Sequence, residues 1–163
     1  MRLYITGFSG TGKSTLARNL AHNLGITYAD LDDLTITLSG KTTVELFSEG
    51  EEIFRSFESE ALREAKADII ATGGGTVTVP ENLAYMKAQG KILLLFCSPQ
   101  VIIERLALSE TRPLISDLTS VKKLLFSRAY AYNEADYYID TACFDSTAVA
   151  AEAERFLCLK SLF

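Results

Sequence analysis

The segment GFSGTGKST at residues 7–15 concentrates more potential chemistry than any other stretch of this 163-residue sequence. Gly7, Gly12, Lys13 and Ser14 fill the pattern G-x-x-x-x-G-K-[ST] between an apolar run and a stretch of helical period. Glycines at 7, 10 and 12 let the backbone turn tightly and aim N–H groups at phosphate oxygens, and the positive end of the following helix adds to that field. Lys13 has the reach for β- and γ-phosphates, and the Ser14 hydroxyl is a ligand type for Mg²⁺. A four-position match of this kind arises by chance in on the order of one chain in two hundred. Its place between strand and helix favours a bound nucleotide over an ordinary glycine-rich turn.

The rest of the sequence narrows the reaction class. It contains no NKxD to read guanine, which argues against a GTP switch, and no apolar strand ending in an Asp-Glu pair, which argues against many ATPases. A kinase acting on a small molecule remains. Asp30 and Asp32 end a strand-like run and project to the same side if the chain stays extended, at the sheet edge where ligands of open α/β folds bind. One could support hydrated Mg²⁺ and the other accept an acceptor hydroxyl's proton; the alternative is a solvated or capping pair, with Asp32 placed to cap a helix starting at Asp33. Arg55 and Glu58 are neighbours on one helix, as a surface ion pair or as part of a site. Thr72 is followed by Gly73, Gly74 and Gly75, a run suited to a backbone that a ligand approaches closely. Arg112 sits in a polar stretch and Arg128 lies on a helix ahead of Tyr132, each either aimed at an anion or part of the ordinary surface.

These residues need a scaffold, and the apolar pattern supplies one. Short runs at Leu3–Thr6, Thr27–Asp30, Asp68–Thr72, Lys91–Phe96 and Tyr137–Asp140 alternate with longer helical stretches, the pattern of a three-layer α/β fold. A five-stranded parallel sheet with helices on both faces is expected, as one domain over residues 1–163. Leu16, Leu20 and Leu24 mark one helix face turned to the sheet, and Ile53, Phe57, Ala61 and Ala65 another. The polar segment from Ser109 to Thr119, with Arg112 and Pro113, reads as a mobile loop.

Composition sets outer limits. Hydrophobic residues make up 48% and charged residues 23%, a globular balance, and the length allows a core without disulfides or metals. The net charge is −5 with dispersed basic residues, so no nucleic-acid footprint is expected. Cys97, Cys143 and Cys158 lack metal-site spacing, and Cys97 reads as a small buried hydrophobe. His22, the only histidine, reads as structural and partly exposed. No leader-like pattern opens the chain and no membrane segment is expected, so a cytoplasmic monomer is anticipated.

Taken in order, GFSGTGKST, DLD at 30–32, FRSFE at 54–58, ATGGGTV at 71–77, RPL at 112–114 and the Arg128/Tyr132 pair resemble the shikimate kinase family over nearly the whole chain. The resemblance implies a P-loop kinase of the nucleoside-monophosphate-kinase type with a lid at about 109–119. It implies transfer of the γ-phosphoryl group of ATP to the 3-hydroxyl of shikimate, a step toward chorismate and the aromatic amino acids, with Mg²⁺ as cofactor. By that resemblance Gly10, Thr11, Gly12, Lys13, Ser14 and Thr15 hold the phosphates, Arg105 lies against adenine, and Ser14 and, through water, Asp30 serve the metal. Asp32 orients the acceptor hydroxyl, Arg55 and Arg128 bind the carboxylate, Gly73, Gly74 and Gly75 surround the ring, and Arg112 closes over phosphates and substrate. Lys13, Asp32 and Arg112 form the implied catalytic set.

The chain departs from the family pattern at two places. It reads DLDDLTI, with Ile36 near the place where many members carry a glutamate, and the stretch from Arg112 to Arg128 is shorter than usual. Rival readings are a kinase for another small hydroxylated acid such as gluconate, a nucleoside-monophosphate kinase, or a nucleotide-binding homologue with impaired catalysis. The glycine triplet and FRSFE argue against the first two, and only the missing glutamate points to the third.

Overall fold

The apolar runs become strands and the periodic stretches become helices. A computed structural model describes residues 2–108, 117–142 and 145–160. The strands are β1 (Arg2–Gly7), β2 (Tyr28–Asp30), β3 (Ile69–Ala71), β4 (Gly90–Phe96) and β5 (Tyr137–Asp140), all parallel, in the order β2-β3-β1-β4-β5. Leu3 and Ile5 of β1 pack with Leu16 and Leu20 of α1 (Lys13–Leu24) and with Phe156 of α8 (Ser146–Lys160). Tyr4 faces the other way, toward Leu62, Met86 and Tyr132 of α4 (Glu51–Glu64), α5 (Pro80–Gln89) and α7 (Leu118–Tyr132). Helices therefore cover both faces, as expected, and Ile92 to Leu95 of β4 are buried without a break. Helices α2 (Leu31–Ser39), α3 (Thr43–Glu49) and α6 (Pro99–Ala107) and a 3₁₀ turn at Thr76–Thr78 line the carboxyl edge of the sheet. Among the described residues, no helix is long and apolar enough to cross a membrane.

Three expectations from the sequence need correction. Leu24 is 38% exposed, because it ends α1 and Gly25, at φ +67, closes the helix by donating its N–H to Ala21. In α4 the inward stripe is Phe54, Glu58, Ala61 and Leu62, while Ile53 is 38% exposed. The helix is rolled because α2, α3 and the 3₁₀ turn pack on it as well as the sheet, and Glu58 finds polar partners inside. Leu118 and Thr119, expected within a loop over 109–119, are helical: Asp117 caps α7, accepting from the Ser120 N–H at 2.9 Å and its hydroxyl at 2.6 Å.

The register of the central strands brings two glycine-rich segments together. Leu3, Tyr4 and Ile5 pair with Ile69, Ile70 and Ala71, and the Thr72 N–H continues the ladder to Ile5 at 2.9 Å. Gly7 then leaves β1 at φ +142, where a Cβ would lie 2.2 Å from the Leu95 carbonyl oxygen. Gly12 opens α1 at φ +92 with nothing within 4 Å of the corresponding position.

The two glycines should therefore tolerate alanine differently. Gly12→Ala carries backbone strain alone, roughly 1–3 kcal/mol, and should fold with a lowered melting temperature. Gly7→Ala adds a collision with backbone and should lose the cooperative thermal transition followed by circular dichroism. Equal losses for the two variants would show that φ alone decides both positions.

Candidate active site

Three recesses meet at the glycine-rich loop. In the loop, the Phe8 carbonyl accepts from the Thr11 N–H at 3.3 Å, the Thr11 hydroxyl at 2.8 Å and Lys13 Nζ at 3.0 Å. Gathering three donors on one carbonyl fixes the loop with Thr11 buried beneath it. Gly12 supplies the turn into α1, whose first N–H groups have no side-chain cap and so keep their capacity to bind an anion. Gly10, Gly12, Lys13, Ser14 and Thr15 line a recess of ≈ 180 Å³ together with Asp30, Asp32 and Thr72.

The carboxylates reach this recess by a route other than the extended one. The chain stops being a strand at Asp30, which caps α2 by accepting from the Asp32 N–H at 2.9 Å. Asp32 thus lies in the first turn of α2, and the cap is Asp30 rather than Asp32. Both still line the phosphate recess, and Asp32 also lines the neighbouring larger cleft. Burial pushes the Asp30 carboxyl above the ordinary aspartate range; the Ser14 hydroxyl pulls it partly back, and the nearby Asp32 charge adds to the rise. Hard oxygen donors in this arrangement fit magnesium, which takes one or two protein oxygens and completes its shell with water and phosphate.

The larger cleft, ≈ 460 Å³, is bounded by α3, α4, the glycine turn after β3 and α7. Arg55 and Arg128 both line it, from α4 and α7. The Arg55 guanidinium lies 5.1 Å from the Phe54 ring centre, and Phe54 in turn stacks on Phe47 at 4.3 Å. Arg128 lies 5.5 Å from the Phe8 ring. Arg55 donates to Glu58 Oε2 at 2.6 Å and to Glu51 at 3.1 Å. Side-chain exposure is 16% for Arg55 and 1% for Glu58, so the pair is not the surface ion pair that spacing alone allows. Burial would lower the Arg55 pKa, but Glu58 and then Glu51 outweigh it and leave it raised, so the guanidinium stays charged.

The glycine run is shaped by these side chains. A Cβ on Gly73 would meet Glu58 Oε1 at 2.0 Å, one on Gly74 would meet the Gly7 carbonyl at 3.0 Å and Arg128 Nη1 at 3.1 Å, and one on Gly75 would meet Arg55 Nη2 at 2.3 Å. The residues need not be glycine for φ, since Gly75 sits at φ −105. They leave room for the protein's own charged groups. Tyr132 donates to the Gly74 carbonyl at 2.7 Å, and its burial raises the phenol's pKa against the opposing pull of Arg128 and Arg55.

The third recess, ≈ 200 Å³, lies between the loop and α8 and includes Thr11, Thr15 and Arg105. Arg105 Nη2 donates to the Thr141 carbonyl at 2.6 Å, while Nη1 donates to the Thr141 hydroxyl at 3.0 Å and reaches Gly10 O at 3.4 Å. A flat guanidinium so anchored can present its face to a planar ring.

Against known proteins, residues 9–158 match the family model for shikimate kinase. The chain belongs to the shikimate kinase family. It is 40% identical over 144 residues to a shikimate kinase of Bacillus anthracis, covering 85% of this chain and 87% of that one. It is 37% identical over 160 residues to one of Geobacter sulfurreducens, with 94% and 88% covered. Among solved structures it is similar to a shikimate kinase from Bacteroides thetaiotaomicron (TM-score 0.88, 30% identity, 99% of each chain). A second is one from Acinetobacter baumannii in complex with shikimate (TM-score 0.90, 29% identity, 99% and 95% covered).

Within this shikimate kinase family member, Lys13, Asp30, Asp32, Arg55, Arg128, Arg105 and the glycine triplet all come together around adjoining recesses. Arg112 and the rest of 109–116 lie outside the described residues. The sequence reading missed α3, although Thr42 and Glu45 spell a capping box that the structure forms. It also missed the inward turn of Glu58, signalled by Phe54, Glu58, Ala61 and Ala65 at helical spacing, and the partnership of Thr141 with Arg105, for which the sequence carried no local signal.

The raised Asp30 pKa has a consequence for stability. The folded state holds this proton more tightly than the unfolded chain, so stability falls as pH rises from the unfolded-state pKa through the folded-state pKa. Asp30→Asn keeps a competent helix cap and removes the titration. Its melting temperature should match wild type at pH below the carboxylate range and exceed it by pH 7. A pH-independent difference would mean that burial does not govern this carboxylate.

Proposed function

We propose that this chain transfers the γ-phosphoryl group of ATP to the 3-hydroxyl of shikimate, acting as a single-domain cytoplasmic monomer. The observation that carries the acceptor assignment is the convergence of Arg55 and Arg128, from two helices, on one cleft that Asp32 shares with the phosphate recess. Two planar guanidinium groups on aromatic supports suit the carboxylate of a small cyclic acid, each able to donate two parallel hydrogen bonds. The family membership and the shikimate-bound relative support the same acceptor.

The division of labour follows from position. The loop amides of residues 10–15 and Lys13 hold the β- and γ-phosphates, and Arg105 supports the adenine end. Ser14 and, through water, Asp30 would hold magnesium, which would neutralise charge on the phosphate oxygens; both residues line the phosphate recess. Asp32, in reach of both recesses, orients the acceptor hydroxyl and takes its proton as the new O–P bond forms. The bond from the γ-phosphorus to the β-bridging oxygen breaks, and ADP leaves with that electron pair. Little covalent work falls to the protein, so positioning and charge neutralisation supply most of the rate. Arg112 completes the proposed set on the strength of the family resemblance alone.

Two measurements test this reading. Lys13→Ala should keep the circular dichroism of wild type and lose at least about 10²-fold in kcat, the scale of removing a key electrostatic group. Wild type should prefer shikimate to its carboxamide by at least roughly 10²-fold in kcat/KM, because the amide leaves the partly buried guanidinium groups badly paired. Arg55→Ala and Arg128→Ala should lose much of that preference while keeping ATP affinity. Equal use of acid and amide by wild type would reopen the acceptor.

A further inference from the structure

The carboxylate of Glu58 has two oxygens, and only one serves Arg55. Oε2 accepts from Arg55 Nη1 at 2.6 Å; Oε1 accepts from the Thr76 hydroxyl at 2.7 Å, across 18 residues of sequence. Thr76 and Glu58 are both buried. We propose that Thr76 is a positioning residue for the acceptor: its hydroxyl fixes the Glu58 carboxylate so that the carboxylate aims Arg55 into the acceptor cleft. The proposal rests on the assignment of Arg55 to the acceptor carboxylate.

Three observations separate this bond from incidental packing. Threonine hydroxyls in turns ordinarily bond to backbone, and the neighbours do so: Thr78 donates to the Gly75 carbonyl at 2.7 Å, and Thr72 donates to the carbonyls of Gly73 beside it and of Ile5 on the adjoining strand. Thr76 instead donates to a side-chain carboxylate, that of Glu58 on α4. Its backbone is fixed independently, its N–H donating to Gly73 at 3.3 Å and its carbonyl accepting from Asn82 Nδ2 at 3.4 Å, so the hydroxyl is not needed to hold the 3₁₀ turn. Finally, the space for the bond is kept open by Gly73, where a Cβ would lie 2.0 Å from Glu58 Oε1 and 3.1 Å from Thr76 Oγ1. Without the hydroxyl, the carboxylate gains torsional freedom and Arg55 loses a fixed anchor, leaving Glu51, on the exposed side, to pull on it.

The test compares Thr76→Val, which keeps the shape, Thr76→Ala, which relieves any crowding by Val, and Thr76→Ser, which keeps the hydroxyl. In the acceptor assay, Val and Ala should raise the KM for shikimate by roughly 10-fold, the scale of one hydrogen bond to a charged group. Changes in kcat and in the KM for ATP should stay within about twofold, and Ser should restore wild-type behaviour. In the protein without substrates, NMR of the Arg55 guanidinium should show faster rotation in Val and Ala than in wild type and Ser. An unchanged Arg55 signal in both hydroxyl-free variants overturns the proposal whatever the acceptor proves to be. A loosened Arg55 with unchanged shikimate KM overturns it too, because the anchor would then not serve binding. Parallel losses in kcat, both KM values and melting temperature would make Thr76 a folding residue instead. Wild type that does not turn over shikimate at all would sink the acceptor assignment, and this proposal with it, before any variant is compared.

Discussion

A buried carboxylate beneath a half-buried guanidinium is the constraint from which the acceptor side of this molecule follows. Bringing Glu58 out of water costs several kcal/mol unless both oxygens are satisfied, and removing one partner from such a pair typically costs about 3–5 kcal/mol. Arg55 satisfies one oxygen and Thr76 the other. That arrangement dictates the backbone beside it, because Gly73 and Gly75 stand where any side chain would strike Glu58 or Arg55. It also explains the roll of α4: the polar residue must point inward, so Phe54 and Leu62 follow it and Ile53 is turned out. A pair of this kind is not the cheapest way to stabilise a core, since apolar residues of equal volume often do as well. Its retention makes sense when the guanidinium has to remain charged and aimed.

The donor and acceptor sides are joined through backbone as well as through the side chains of Asp32 and Arg128. β1 ends in the phosphate loop and β3 ends in the glycine turn, and the two strands are neighbours in register. The ladder runs to the last residue before each turn, through the Thr72 N–H to the Ile5 carbonyl. Beyond it, Gly74 approaches the Gly7 carbonyl so closely that a Cβ would sit 3.0 Å from it. The spacing between the phosphate loop and the glycine turn, and so between the proposed phosphate and acceptor sites, is therefore set by the register of a parallel sheet. In-line transfer depends on that distance being fixed to a fraction of an ångström.

Much of this was legible in the residues themselves. All five strands lie within a residue or so of where the apolar runs put them; the three central ones, covered on both faces, read as nearly unbroken hydrophobic segments, as Ile92 to Leu95 do. The phosphate loop was legible because its glycines and its lysine answer to chemistry that tolerates few substitutes. Less legible were features that depend on what lies opposite. The helical period marked α4 and allowed two stripes, one through Ile53 and Phe57 and one through Phe54 and Glu58; that the second faces inward rests on the partners Glu58 finds there, Thr76 and Arg55. The glycine triplet signalled close approach; that the approaching groups include Glu58, Arg55 and Arg128 required their placement in space. Nothing local to Thr141 announces that it holds Arg105, 36 residues earlier in the chain.

The acidic pair shows how one short sequence can carry two duties. An extended DLD would put both carboxylates on one side of a strand; instead the strand stops at Asp30, whose side chain is partly spent on the Asp32 N–H. The cap starts α2 immediately, and starting α2 is what turns Asp32 toward the border of the phosphate recess and the acceptor cleft. A carboxylate at a helix start is favoured by the local dipole, so the same acid that suits a metal's water shell also builds the turn that positions its neighbour. Burial works against it, lifting the Asp30 pKa, and the Ser14 hydroxyl recovers only part of that. The fold thus accepts a locally unfavourable charge beside the phosphate recess, and a cation bound there would reverse the sign of that cost.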